Sequence, residues 1–142
     1  MNPIVCRKAV IEEVELIFRI DHLHRNEKIL KATQHGECFV VEMGSQIIGF
    51  ATMNYCFFDY GFVELMIIAE GYRHSGVGTA LTAYLLHICS TEKLFTSTNE
   101  SNYPMRAFLA KNGFRACGQI DALDEGDPEL FFVKKAEKMA RI

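Results

Sequence analysis

The spacing of apolar positions changes repeatedly along this chain, and each change marks an element. Residues 4–8 read as a short strand, after which Val10, Val14, Ile17 and Phe18 recur at helical spacing. Glu12 and Glu13 fall in the first turn of that helix, where the backbone dipole favours acids. Asp21 is placed to cap a second helix that carries Leu23, Ile29 and Leu30 and stops at Gly36, with His22, His24, Arg25 and Lys28 on its exposed face. Two runs rich in β-branched and aromatic residues, 38–43 and 46–55, then join through Gly44-Ser45, a hairpin signal. A third run, 62–68, follows the turn-like Asp59-Tyr60-Gly61, so the three together predict an antiparallel meander.

Beyond the meander the period switches. Val77, Ala80, Leu81, Tyr84, Leu85 and Ile88 hold the i, i+3, i+4 pattern of the strongest amphipathic helix in the chain, so a strand-to-helix junction falls at residues 69–76. Residues 94–98 read as a strand, and Pro104, Met105, Phe108 and Leu109 as a helix stopped at Asn112-Gly113. Two last strands follow, 114–120 and 130–135. Between them, residues 121–129 carry five acids and no base, the composition of a solvated loop. The order β-α-α-β-β-β-α-β-α-β-β predicts an α/β fold: a mixed sheet with helices on both faces, in a single domain over residues 1–142.

Composition narrows the function classes. With 49% apolar and 23% charged residues, the chain is neither a disordered tail nor a polyelectrolyte. Fifteen basic residues against eighteen acidic ones give a net charge of −3, which leaves no broad footprint for a phosphate backbone, so no nucleic-acid partner is expected. No apolar run approaches the ~20 residues of a membrane span. Pro3, Arg7 and Lys8 interrupt any signal-peptide core, and a cytoplasmic protein is expected. Cys6, Cys38, Cys56, Cys89 and Cys117 form no C-x-x-C pair and read as reduced core thiols, with no metal site.

The junction carries the chemistry. It reads Arg73-His74-Ser75-Gly76-Val77-Gly78-Thr79-Ala80 and opens directly into the strong helix. Small residues at 75, 76 and 78 let backbone N–H groups converge on an anion, and the helix N-terminus adds about half a positive charge there. The competing description is a glycine-softened turn that binds nothing. A P-loop is excluded because its Lys is missing, and a dinucleotide fingerprint because Leu81 stands where its third Gly belongs.

Residues Ile68 to Gly78 fit the pattern V-x-P-x-Y-R-x-x-G-x-G, with Ile68 in the Val place, Glu70 in the Pro place and matches at Tyr72, Arg73, Gly76 and Gly78. Residues Asn102 to Phe114 fit N-x-x-A-x-x-L-Y-x-K-x-G-F at Asn102, Lys111, Gly113 and Phe114, with Phe108 in the Leu place and Leu109 in the Tyr place. With these two motifs the chain resembles the GNAT superfamily of acetyl-CoA-dependent N-acetyltransferases over roughly residues 38–120. The resemblance implies the GNAT fold, with a mostly antiparallel central sheet, and acetyl-CoA as cosubstrate. It further implies that main-chain groups of Arg73, His74, Ser75, Gly76, Val77, Gly78 and Thr79 bind the coenzyme A pyrophosphate, with the Arg73 side chain adding positive charge. Main-chain groups around Ile67 and Ile68 would pair with the pantetheine arm. Asn102 would touch the cofactor or cap the helix that follows it.

Acetyl transfer needs a neutral amine. A lysine-like amine of pKa ~10.4 costs about 4–5 kcal/mol to neutralise at pH 7, and an α-amine near 7.7–8 only about 1 kcal/mol. Glu64, the one ionisable residue of the 62–68 run, is the first candidate base, and if it faces the cleft, desolvation is expected to raise its pKa toward the useful range. Glu70, at the end of the strand, is the weaker candidate base, and His22 and His24 could line an acceptor site. Leu109 empties the place from which a Tyr protonates the departing thiolate in many relatives, which leaves water, Tyr103 or Tyr60 for that step. The acceptor is expected to be an amine of a small molecule or a protein, drawn in part by the acids of 121–129. Family members often pair as homodimers, and a homodimer is within the expectation. A coenzyme A-binding regulatory module that lacks turnover is the alternative.

Overall fold

The computed structural model describes residues 3–137. Its strands are β1 (Ile4–Lys8), β2 (Cys38–Met43), β3 (Gln46–Phe57), β4 (Tyr60–Ile68), β5 (Lys93–Asn99), β6 (Arg115–Ile120) and β7 (Glu129–Lys135). Its helices are α1 (Val14–Ile20), preceded by a 3-10 turn at Ile11–Glu13, then α2 (Asn26–Gln34), α3 (Val77–Ile88) and α4 (Tyr103–Lys111). The seven strands form one sheet in the order β1-β2-β3-β4-β5-β7-β6. The β1/β2, β2/β3, β5/β7 and β6/β7 pairs are antiparallel, and β4/β5 is parallel through Gly61↔Leu94, Phe62↔Phe95 and Val63↔Thr96. The mixed, mostly antiparallel sheet matches the expected fold class.

The chain divides into two compact units, residues 1–54 with 64–85, and residues 55–63 with 86–142. In the first, Ile17 of α1, Ile29 of α2, Cys38 and Val40 of β2, Phe50 of β3 and Leu65 of β4 share one core, with Phe18, Ile47 and Ile67 packed against it. Gly49 is required there: a Cβ at that position would stand 2.7 Å from Ile68 Cδ1 and 2.9 Å from Val41 Cγ1. Tyr84 of α3 meets Phe39 edge-on at 5.9 Å. Arg7 of β1 joins Glu13 at 2.8 Å and Glu42 of β2 at 3.2 Å, so the 3-10 turn and the strand pair are pinned to one guanidinium.

The start of α2 departs from the sequence expectation. Asp21 does not cap the helix, whose N-cap is Arg25. Its carboxylate accepts from the N–H groups of Leu23 (3.2 Å) and Arg25 (2.8 Å) and from the Arg25 guanidinium (3.1 and 2.8 Å), closing a turn over 21–25. The Asp21 side chain is fully buried, and the Arg25 guanidinium holds its carboxyl down to about 2. Leu23, expected inside the helix, is 61% exposed in this turn, and Arg25, expected to be solvated, is spent on the ion pair.

In the second unit, Phe57 stacks on Phe131 at 5.5 Å and contacts Phe62 and Phe95 at 5.0 and 5.1 Å. Leu94, Leu109, Phe114, Phe132 and Val133 are buried. The β3/β4 turn is Phe58-Asp59, both at positive φ (52° and 66°), so β4 begins at Tyr60, inside the segment expected to be the turn. The acidic segment is exposed from Asp121 to Gly126, as expected of a solvated loop, and is also tied down at its surface. Asp127 accepts from the Ser101 N–H (3.0 Å) and hydroxyl (2.6 Å), Asp124 from Asn99 (2.9 Å) and Asp121 from Gln119 (2.6 Å), while Glu129 opens β7. The cysteines also divide. Cys38 and Cys89 are buried, and burial pushes the Cys38 thiol up to about 11, but Cys56 and Cys117 are exposed and are not core thiols.

Candidate active site

The strand-to-helix junction is an exposed turn held at both ends. At its start, the Ala69 N–H donates to Ile48 O at 2.8 Å, continuing the β3/β4 pairing, and the Tyr72 hydroxyl donates to Gln46 at 3.3 Å. At its end, Val77 is 1% exposed and roots α3 in the core, where Leu81 and Leu85 follow it. Between these anchors Arg73, His74, Ser75 and Gly76 are exposed. The turn needs left-handed backbone at His74 (φ 63°) and Gly76 (φ 86°). Gly76 supplies it without strain, and nothing lies within 4 Å of where its Cβ would stand. The Ser75 hydroxyl donates to Tyr72 O, closing the turn on itself.

Ala80 is the first residue whose N–H bonds back along the helix, to Gly76 O at 3.0 Å. The N–H groups of Val77, Gly78 and Thr79 therefore have no intrahelical acceptor, and they stand at the positive end of a helix from Val77 to Ile88. Arg73, just before them in the turn, is already engaged, because its Nε donates to Ile68 O at 3.0 Å.

Alternation along β4 decides which backbone groups another chain could use. Because Ala69 pairs with β3, and the Leu65 N–H likewise reaches Thr52 Oγ1 at 3.2 Å, the polar groups of Ile67 turn toward β3 while those of Met66 and Ile68 turn away from it. Of the two residues expected to offer their backbone, Ile68 turns its groups away from β3 and Ile67 does not, and Met66 shares the Ile68 orientation by the period of two along the strand.

Glu64 lies on the same strand, 37% exposed, and its Oε1 accepts from Lys28 Nζ of α2 at 2.6 Å. The desolvation expected of it is not met. Both residues line a cleft of about 430 Å³ whose walls also carry Glu27, Lys31, His35, Glu37, Thr52 and Asn54. No sequence signal points to Lys28 as a partner of Glu64. Glu70, His22 and His24 are exposed, the last at φ 52°.

Asn102, Tyr103, Tyr60 and Leu109 belong to the second unit. Asn102 is the N-cap of α4: its side chain accepts from the Met105 N–H at 3.3 Å and donates to Thr98 Oγ1 at 3.0 Å. Tyr103 is 70% exposed, with the Arg106 guanidinium 5.2 Å above its ring. Tyr60 packs edge-on against Phe95 at 5.5 Å. Leu109, in the Tyr place of the motif, is 2% exposed and fills the core.

Comparison with known proteins agrees with this architecture. The model of the acetyltransferase (GNAT) family matches residues 7–114. A GNAT-family acetyltransferase from Bacillus cereus has 35% identity and a TM-score of 0.89, covering 95% of this chain and 99% of its own. The PaiA N-acetyltransferase of Thermoplasma acidophilum, solved with coenzyme A, has 16% identity and a TM-score of 0.77, with 94% and 99% covered. The ribosomal-protein-S18-alanine N-acetyltransferase of Escherichia coli has 14% identity and a TM-score of 0.77, with 98% and 97% covered. At those identities the last two share the fold alone. No curated protein sequence matches. The fold and the glycine-led start of α3 define an acyl-transferring enzyme. The chain belongs to the GNAT family of N-acetyltransferases. Among the described residues no helix is long and apolar enough to cross a membrane.

Proposed function

We propose that this enzyme moves the acetyl group of acetyl-CoA directly onto a primary amine of a small molecule or a protein in the cytoplasm. The observation that carries the reading is the exposed turn before α3, where the unpaired N–H groups of Val77, Gly78 and Thr79 meet open space above Gly76. A pyrophosphate supplies the acceptors and the negative charge that this place lacks. The pantetheine arm follows β4 as an added strand, pairing with the outward groups of Met66 and Ile68, and its amide replaces the Arg73 side chain at Ile68 O. Arg73, once released, turns its charge to the phosphates.

Glu64 then accepts a proton from the incoming ammonium, directly or through one water, which its partial exposure permits. The neutral amine attacks the thioester carbonyl, and the C–S bond breaks as the amide forms. The amine's second proton reaches the leaving thiolate through water: a thiol of pKa ~8.5 gains about 2 kcal/mol from that proton at pH 7, so the loss of a dedicated acid is tolerated. Asn102 acts as the cap of α4, and the exposed Tyr103 is the alternative to water as the acid.

One substitution tests the cradle. Gly76→Glu places a side chain at φ 86° and a negative charge where the diphosphate belongs, and calorimetric titration with coenzyme A is expected to show Kd raised about 100-fold. An unchanged Kd removes the site. A second reading, a coenzyme A-binding module without turnover, is favoured by the burial of Leu109. Release of free thiol from acetyl-CoA over a panel of amines decides between them.

A further inference from the structure

We infer that Lys28 is itself an acetylation site of this enzyme, modified within its own molecule at the amine that lies against Glu64. The inference rests on the reading of Glu64 as the base and of the 73–79 turn as the cofactor cradle. A base that deprotonates an attacking amine directly, without a bridging water, comes within about 2.6–3.2 Å of its nitrogen. Lys28 Nζ meets that condition, at 2.6 Å from Glu64 Oε1. The approach is not a chance meeting of two loose side chains. Their neighbours Ile29 and Leu65 are buried in the same core cluster, which fixes the backbone of α2 and β4 at this point. Lys31, on the same helix and lining the same cleft, has no described hydrogen bond to Glu64.

The ion pair itself is weak enough to open. With side chains 48% and 37% exposed it is a surface pair of small net worth, and the flexible lysine stem allows Nζ to turn from the carboxylate toward a thioester bound along β4. Glu64 takes one proton from the Lys28 ammonium and passes it to solvent. The neutral Nζ attacks the carbonyl carbon of acetyl-CoA, the C–S bond breaks as the C–N bond forms, and the second proton leaves with the thiolate as free coenzyme A. An amine already in the cleft has the effective-concentration advantage of an intramolecular nucleophile. The product carries no charge at residue 28, so Glu64, Glu27 and Glu37 face the cleft with Lys31 as the remaining lysine, and a cationic acceptor is favoured afterwards.

The test is incubation of the full chain with acetyl-CoA, followed by intact mass and peptide mapping. One added acetyl group is expected, on Lys28 and not on Lys31, at a first-order rate independent of protein concentration. Lys28→Arg should not gain it, and Glu64→Gln should gain it at least about tenfold more slowly. If Lys28 stays unmodified while the same preparation acetylates an added amine, the inference falls and the reading of the site stands. If coenzyme A does not bind in calorimetry, both fall. Equal labelling of Lys28 in native protein, Glu64→Gln and urea-unfolded chain marks plain chemical acetylation and also overturns it.

Discussion

Two carboxylates lie close to α2, each against a basic side chain, and they serve opposite ends. Asp21 is fully buried and accepts from two backbone N–H groups and from Nε and Nη2 of the Arg25 guanidinium. Glu64 is more than a third exposed and holds one lysine by one bond. A buried carboxylate with every lone pair occupied has nothing left to offer a substrate, and removing it strands its donors. An exposed carboxylate with a single flexible partner costs little to uncover, and it is the one that can exchange a proton. On the proposed reading of Glu64 as the base, the pair separates structural from chemical use of the same functional group within one unit of the fold.

The sharpest way to break the comparison is to neutralise the exposed member. Glu64→Gln is expected to lower kcat by about 10²–10⁴-fold and to erase the acidic limb of its pH profile, while thermal stability moves by no more than about 0.5 kcal/mol. A preserved pH profile would transfer the base role elsewhere. The converse substitution, Asp21→Ala, is expected to cost about 3 kcal/mol and to lower Tm by about 6–12 °C in calorimetry, since the Leu23 and Arg25 N–H groups and the Arg25 guanidinium lose their shared acceptor. A smaller effect follows from titration. Asp21 is held at about 2 against an ordinary 3.8, so its contribution is whole above about pH 4 and disappears as pH falls toward 2. Urea unfolding should show about 2 kcal/mol of acid-dependent stability that Asp21→Asn lacks. Identical acid curves for the two proteins would mean that the carboxyl is not held as the ion pair requires.

Much of the fold is legible in the sequence because its signals are local. The period of α3, the Gly44-Ser45 hairpin and the Asn112-Gly113 stop all lie within one or two turns of what they determine, and each element appears where the pattern puts it. The loop from Arg73 to Thr79 is legible for the same reason, and the family follows from it. Asp21 misleads because a capping residue and a buried ion-pair residue look alike until Arg25 is seen folding back over it. The β3/β4 turn shifts to Phe58-Asp59 because two residues accept positive φ that their side chains do not advertise. The acids of 121–129 read as a solvated run, yet Ser101 and Asn99 claim two of them through contacts distant in sequence.

What the amino-acid order determined unaided is the succession of elements and the glycine-bearing turn that opens α3, since backbone preference and side-chain period act over a few residues. Only the tertiary structure decided which carboxylate is sealed and which is open, that Lys28 meets Glu64 across 36 positions, and that Leu109 is core. The physical reason is that desolvation and ion pairing depend on what packs around a group, and those neighbours come from strands and helices remote from it along the chain.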